Sequence, residues 1–274
     1  MIRCYDFDNM YWQLVTQFLN IEPIQVGQWQ SQDVSEKRGM DVREIFDYSF
    51  TWDLPQSRNE LAQRVWPNLP WAEDHFLERV SGFPHNPPPS EQWWPFAQQG
   101  NKDHKSQGTK FSHTYPERMW PKYAGNASMI HTGIRFAYGD LRDVVHQLFE
   151  SPYTRQAYLP IWFPEDTGAV HGERVPCTLG YLFYIRDNKL HVTYYIRSCD
   201  FLRHFRDDVY MAGRLAQWVA NELNALGIKI GEVKVGRLIM HIANLHTFRD
   251  DTMKLKNLDK AMRLKYNEKL AGSL

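Results

Sequence analysis

The chain has 274 residues, 43% of them hydrophobic, enough to build a sizeable buried core, and its 32 Lys plus Arg equal its 32 Asp plus Glu. Zero net charge provides no field that would draw the protein to polymeric nucleic acid or to an anionic membrane, so any anion must be bound by local groups. The apolar runs are strand-sized and broken by charge, and the first residues lack the apolar core of a signal peptide. With three cysteines (Cys4, Cys177, Cys199) and no CxxC spacing, a cytoplasmic, reducing address is expected.

Trp12, Leu14, Val15, Phe18 and Leu19 recur at helical spacing and predict a helix over Met10 to Leu19. Phe46, Tyr48, Phe50, Trp52 and Leu54 alternate with Asp47, Ser49, Thr51 and Asp53, the pattern of a half-buried strand. Ala72 to Ser81 offers a helical face of Phe76, Leu77 and Val80 before Gly82. Phe83 to Gly108, rich in Pro, Gln and Gly, predicts a long loop in which the Trp93-Trp94 pair argues against plain disorder. Asp140 is placed to cap a helix whose stripe is Leu141, Val144, Val145, Leu148 and Phe149. Gln156 to Phe163 reads as a strand, and Thr178 to Arg186 with Leu190 to Ser198 as a hairpin joined through Asp187-Asn188-Lys189. Asp207 to Leu226 is a long helix stopped by Gly227, Ile228 to Ile242 is strand-like, and the charged tail from Asp250 is helical. No repeat and no sharp change of composition marks a boundary, so one α+β domain over residues 1–274 is expected.

A lone cysteine is usually a small buried hydrophobe. Cys177 differs, because it belongs to an ordered set: Arg174-Val175-Pro176-Cys177, then the hairpin, then Arg197-Ser198-Cys199-Asp200, then Phe205-Arg206-Asp207-Asp208. Cys177 and Arg197 are 20 positions apart, and Asp208 lies 8 beyond Asp200. In this set the chain resembles the thymidylate synthase family, which has a Pro-Cys nucleophile turn opening a strand, a hairpin partner ending in Arg-Ser-x-Asp, and a base-reading residue eight positions later. The resemblance is closest from about Gly139 to His246. It implies an α+β fold with a mixed β-sheet flanked by helices, and a homodimer formed through the sheet face. It also implies a pyrimidine nucleoside monophosphate as substrate and 5,10-methylenetetrahydrofolate as cofactor.

The chemistry explains the residue types. C5 of a pyrimidine is a poor nucleophile until a thiolate adds to C6, and Cys177 would be that thiolate. A free thiol ionises near pH 8.5, so a cation beside it is useful, and Arg197 on the neighbouring strand can serve both the sulfur and a nucleotide phosphate. The resemblance adds Arg38 as a same-subunit phosphate ligand, Arg155 as the partner subunit's, and Ser198 as the serine beside the phosphate. The family has two adjacent arginines where this chain has Arg155-Gln156. Asp200 matches the aspartate that meets the pterin, and Trp93 or Trp94 is a candidate to pack on folate, although a core role is the commoner one for a tryptophan. Tyr115 resembles the active-site tyrosine of the central loop, and His241 the histidine near the sugar 3′-hydroxyl, with Ala243 where a tyrosine is expected. His75 falls at the position of the proton-relay glutamate, with Glu73 and Glu78 nearby, and Thr178 replaces the histidine that often follows the nucleophile.

Enzymes of the family that act on dUMP carry asparagine at the base-reading position, because an amide can donate to O4 and accept from N3-H. This chain has Asp208. A carboxyl group suits cytosine, accepting from the N4 amine and sharing a proton with N3, and the pattern resembles deoxycytidylate hydroxymethylases. Two readings of the acidic pair stay open: Asp207 could stand at this position instead, or both could simply open the helix at its positive end. The favoured expectation is C5 hydroxymethylation of dCMP or CMP. The alternatives are thymidylate synthase-type methylation of dUMP and a non-catalytic nucleotide-binding homologue. The 11 histidines contain no HExxH pair and glycine-rich phosphate loops are absent, so no metal site is expected.

Overall fold

The computed structural model describes residues 2–29, 32–96, 111–124, 139–164, 166–167 and 175–271. Arg174 and the part of the expected loop beyond residue 96 lie outside the described residues. The elements in chain order are β1 (Ile2–Cys4), α1 (Phe7–Leu19), the short pair β2 (Gln28–Trp29) and β3 (Gln32–Asp33), β4 (Val42–Asp53), α2 (Arg58–Val65), α3 (Trp71–Val80) and α4 (Tyr115–Met119). They continue with α5 (Leu141–Glu150), β5 (Ala157–Pro160), β6 (Thr178–Arg186), β7 (Lys189–Ile196), β8 (Cys199–Asp200), α6 (Phe205–Ala225), β9 (Lys234–Phe248) and α7 (Thr252–Ala271).

Seven strands form one mixed sheet in the order β1-β4-β9-β7-β6-β5, with β8 also on β9. β9 runs antiparallel to β4 and parallel to β7, and β6–β7 is the expected hairpin. Its turn is two residues long, with Asp187 and Asn188 at φ 51° and 52°. Both are types that tolerate left-handed backbone, and this turn geometry matches the strand twist. Side chains alternate across the pleat, so Tyr48, Phe50, Trp52, Phe183, Tyr194, Met240 and Ile242 are buried. The other face carries Thr51, Tyr158, Leu182, Tyr184, Tyr195, Ile239 and His241, partly or largely exposed.

Helix α1 starts three residues before the expected position because Asp6 caps it, accepting from the Asp8 N–H at 3.0 Å. Phe7, Met10, Tyr11, Leu14, Val15 and Phe18 form its buried stripe. Each is worth about 1.5–3 kcal/mol of burial, and truncating the fully buried Phe18 to Ala should cost about 3–5 kcal/mol. Helix α5 is capped by Asp140, whose carboxylate accepts from Asp143 N–H while Asp143 bonds back, and its stripe falls where the spacing puts it. Helix α6 packs close to α2 because Gly213 is bare: a Cβ there would lie 2.8 Å from Leu61.

Several expectations shift. Phe46 is 67% exposed, because Asp47 adopts φ 52° and interrupts the strand's alternation just before Tyr48. β5 is shorter than expected and ends at Pro160, which has no N–H for the ladder. β9 continues six residues past Ile242 because β4 on one side and β8 on the other keep pairing with it. Helix α2 escaped the hydrophobic pattern, although Ser57 caps it through the Glu60 N–H. In α3 the buried face is Trp71, Ala72, Glu73, His75, Phe76 and Arg79, while Leu77 is 49% exposed.

Candidate active site

Cys177 directly precedes β6 and Arg197 directly follows β7. Pairing of Thr178 with Ile196 therefore brings the two to the same end of the hairpin. The Arg197 backbone N–H donates to the Cys177 carbonyl at 2.8 Å. Its guanidinium donates to the Pro176 carbonyl at 2.9 Å and the Val175 carbonyl at 3.2 Å, and Nη2 lies 4.0 Å from Cys177 Sγ. The turn that carries Cys177 is thus held by the side chain that follows the facing strand. A guanidinium stands beside a half-buried sulfur.

Behind Cys177 is a polar wall. Thr178 Oγ1 donates to the Tyr115 hydroxyl at 3.3 Å and lies 2.9 Å from the Tyr194 hydroxyl. Tyr115 opens α4, which begins there because Thr114 and Glu117 form a capping box and Pro116 sits in the first turn. Burial, and then the neighbouring Cys177, raise the Tyr115 hydroxyl well above its ordinary range, so it stays protonated. The Arg79 guanidinium carbon sits 4.0 Å from the centre of the Tyr115 ring.

The two aspartates at the start of α6 have separate jobs. Asp207 is buried, and its two oxygens accept from the Asn68 N–H at 2.8 Å and the Asn68 side-chain amide at 2.7 Å. Asp208 faces the other way, with Oδ2 3.6 Å from Cys199 Sγ. Its field reaches Tyr115, Tyr181 and Tyr194. Burial pushes the Asp208 carboxyl up to about 6, with Asp207 adding to the rise and His204 and Arg79 opposing it. Near neutrality this carboxyl takes up and releases a proton at little cost.

His75 is buried, stacked on Trp71 at 5.0 Å, and turned toward Ser90 Oγ (3.0 Å) and Glu78 (3.3 Å). Burial and the Arg79 charge push the imidazole down, so it is neutral at physiological pH. Burial opposes the ionisation of Glu78, but hydrogen bonds from His75 and Ser90 hold its carboxyl below the usual range. Trp94 is half-buried and stacks on His204 at 5.6 Å and 13°. Asp200 accepts from the Leu202 and Arg203 N–H groups and from the Arg203 guanidinium at 2.8 Å. Arg203 also reaches Asp251 at 2.7 Å, and so ties the start of α6 to that of α7. His241 stacks on Tyr195 at 5.3 Å on the open sheet face, which Arg197 also borders. Ser198 follows Arg197, half-buried. Arg38 and Arg155 are exposed, and neither side chain forms an ion pair among the described residues.

Three residues near the site were not visible in the sequence. Arg79 is hidden because a helical stripe is read from apolar positions, and only its spacing of four from His75 places it on the buried face. Tyr194 is one aromatic of a strand rich in them. His204 precedes Asp208 by one turn and had no motif to mark it. Among the described residues no group of three His, Cys, Asp or Glu could hold a metal ion. No helix among them is long and apolar enough to cross a membrane.

A flat heteroaromatic cofactor fits what stands beside this wall. Among the described residues the Trp94 and Trp71 indole N–H groups are buried without partners, and the Trp94 ring stands 6.2 Å from Trp71 and nearly parallel to His204. Such rings and donors suit a pterin.

Comparison with known proteins points to one family. The thymidylate synthase family model matches residues 91–268. A putative thymidylate synthase of Methanosarcina barkeri is 24% identical over 211 residues, 77% of this chain and 78% of that protein. One of Methanococcoides burtonii is 29% identical over 209 residues, 76% and 77% of the two chains. One of Methanosarcina mazei is 23% identical over 209 residues, again 76% and 77%.

Proposed function

The chain belongs to the thymidylate synthase family, whose cofactor is 5,10-methylenetetrahydrofolate, and from that premise we propose that it hydroxymethylates C5 of a cytosine nucleotide, dCMP or CMP. The observation that carries this reading is the division of labour at the start of α6. Asn68 occupies Asp207, and Asp208, beside Cys199 and close enough for its charge to act on Tyr115 and Tyr194, is left to share a proton.

Cys177, kept as thiolate by Arg197, adds to C6; the C5–C6 π electrons move toward N3, and Asp208 delivers its proton there. Cytosine N3 lacks a hydrogen and its N4 carries two, so a carboxyl that donates one bond and accepts another fits both atoms. Uracil offers N3-H and O4, for which an ionised carboxylate supplies an acceptor and no donor. When bound, 5,10-methylenetetrahydrofolate supplies the one-carbon unit for C5, and Trp94 and Asp200 are the residues assigned to hold it. Tyr115 and Thr178 shield the adduct; the C5 proton would leave as tetrahydrofolate departs, and addition of water to the transferred carbon would expel Cys177 and complete the turnover. Cytosine reading in this family goes with hydroxymethylation, which supports water as the nucleophile that adds to the transferred carbon.

Arg197, Ser198 and Arg38 bind the phosphate, and His241 meets the sugar. Arg155 belongs to a partner subunit's site. The open sheet face bearing Tyr158, Tyr195 and Ile239 supports a homodimer, since an uncovered aromatic face favours burial against a second copy. His75 has its ring nitrogen on Ser90 and Glu78, which favours Asp208 over His75 as the group that moves the proton.

The test is release of tritium from C5 of labelled dCMP, CMP and dUMP in the presence of methylenetetrahydrofolate. Release from a cytosine nucleotide with a hydroxymethyl product is expected, and release from none of the three refutes the proposal. The relatives' names favour one other reading, methylation of dUMP. It predicts release from dUMP accompanied by the absorbance rise of dihydrofolate.

A further inference from the structure

Arg79 has no part in the reading above, yet it is the most unusual charge in the molecule. It lies on α3, one turn beyond His75, and is 4% exposed. Among the described residues its Nε is buried with no hydrogen-bond partner, and the side chain forms no ion pair. The acids of its own helix are committed elsewhere: Glu73 to Arg214 and Tyr210, Asp74 to Trp93, Glu78 to Ser90 and His75. Its guanidinium contact is the face of Tyr115, whose hydroxyl is bonded to the residue next to Cys177.

An arginine does not shed its charge, and a buried, unpaired guanidinium destabilises the fold that holds it. Such a cost persists where a bound state recovers it. In this wall the recovering partner is negative charge, and the charge that arises here leaves the Cys177 sulfur and enters the ring during attack on C6. Tyr115 and Asp208 flank that path, and Arg79 acts on both.

We propose that Arg79 is the resident counter-charge of this site, a positioning residue that fixes the Tyr115 ring and stabilises the negative charge passing from Cys177 to the base. The inference rests on the proposed roles of Cys177 and Asp208. It explains how the site manages with His75 where a carboxylate relay was expected: the local field is supplied by a permanent cation one turn farther along the helix.

The test uses the full-length chain with Arg79→Met, Arg79→Lys and Arg79→Ala, measuring kcat and KM for C5 tritium release, thermal unfolding, and rescue of Arg79→Ala by added guanidinium below denaturing concentrations. Loss of one preorganised electrostatic group predicts a fall in kcat of about 10²–10³-fold in Arg79→Met, with KM changed less than about fivefold. Arg79→Lys keeps more activity, and guanidinium restores at least about tenfold to Arg79→Ala. The Arg79→Met midpoint stays at or above that of the wild type, because an unpaired buried charge has gone. The inference is overturned if Arg79→Met keeps kcat within about threefold, or if activity falls only with the folded fraction and guanidinium restores nothing; Arg79 is then a structural cushion under Tyr115. Should the wild type release tritium from no nucleotide, the proposed function and this inference fall together. Wild-type turnover with unaffected variants removes this inference alone.

Discussion

Asp208→Asn should stabilise the protein at neutral pH and leave it unchanged in acid. Burial pushes the carboxyl up to about 6 from an ordinary 3.8, so between those values the folded chain holds a proton that the unfolded chain has released. Across that window stability falls as pH rises, and above about pH 6 the full penalty is in place. At about 1.4 kcal/mol per tenfold change in proton affinity, the interval corresponds to about 3 kcal/mol. Solvent screens part of this at a half-buried group, and a gain of about 1–3 kcal/mol is expected at about pH 7.5. Asparagine keeps an oxygen able to accept from Cys199 Sγ, so no new unsatisfied acceptor offsets the gain. The thermal midpoint should rise by about 2–4 °C per kcal/mol for a chain of this size. Urea unfolding followed by tryptophan fluorescence, at about pH 4 and about pH 7.5, measures both ends. An equal gain at the two pH values, or a loss at the higher one, would refute the argument that this environment opposes the charge. The same variant should lose C5 release from cytosine nucleotides.

Cys177→Ser should abolish tritium release while leaving the unfolding midpoint within about 0.5 kcal/mol of the wild type, measured by urea titration. Asp207→Ala removes both contacts to Asn68 and should cost about 2 kcal/mol of stability, yet keep kcat per folded molecule, which separates it from its neighbour. Arg197→Met frees the Val175–Pro176 turn and should lower kcat/KM for nucleotide by at least about 100-fold, about 2.7 kcal/mol, in the same release assay. Tyr158→Asp places a charge on the open sheet face and should weaken self-association in sedimentation velocity; unchanged sedimentation across concentrations would count against the dimer through that face.

Where local signals agreed, the fold was legible. The Asp140 cap with its apolar stripe, the hairpin and the stop at Gly227 each combine a periodicity with a terminator, and the structure has an element at each. The spacing of Cys177 and Arg197 translated directly into contact, because a hairpin returns its ends to each other. What stayed hidden depended on distant partners. Leu77 looked like core and is exposed, while the charged Arg79 takes the buried position, because α3 packs on α4 and α6 with a phase that its own composition does not fix. The separate surroundings of Asp207 and Asp208 depend on Asn68, 139 positions away. Neither the raised proton affinity of Asp208 nor the quenched imidazole of His75 has any trace in the linear order of residues.

The paired acids at the head of α6 bear on how this chain can change over generations. Asp207 fastens the helix to the Asn68 segment by itself, so position 208 carries no share of that anchorage. Aspartate and asparagine codons differ by a single base. If Asp208 reads the base as proposed, one such substitution at 208 would exchange a proton-sharing group for an amide without loosening the helix, and drift between base preferences would be open to this scaffold without an unstable ancestor in between.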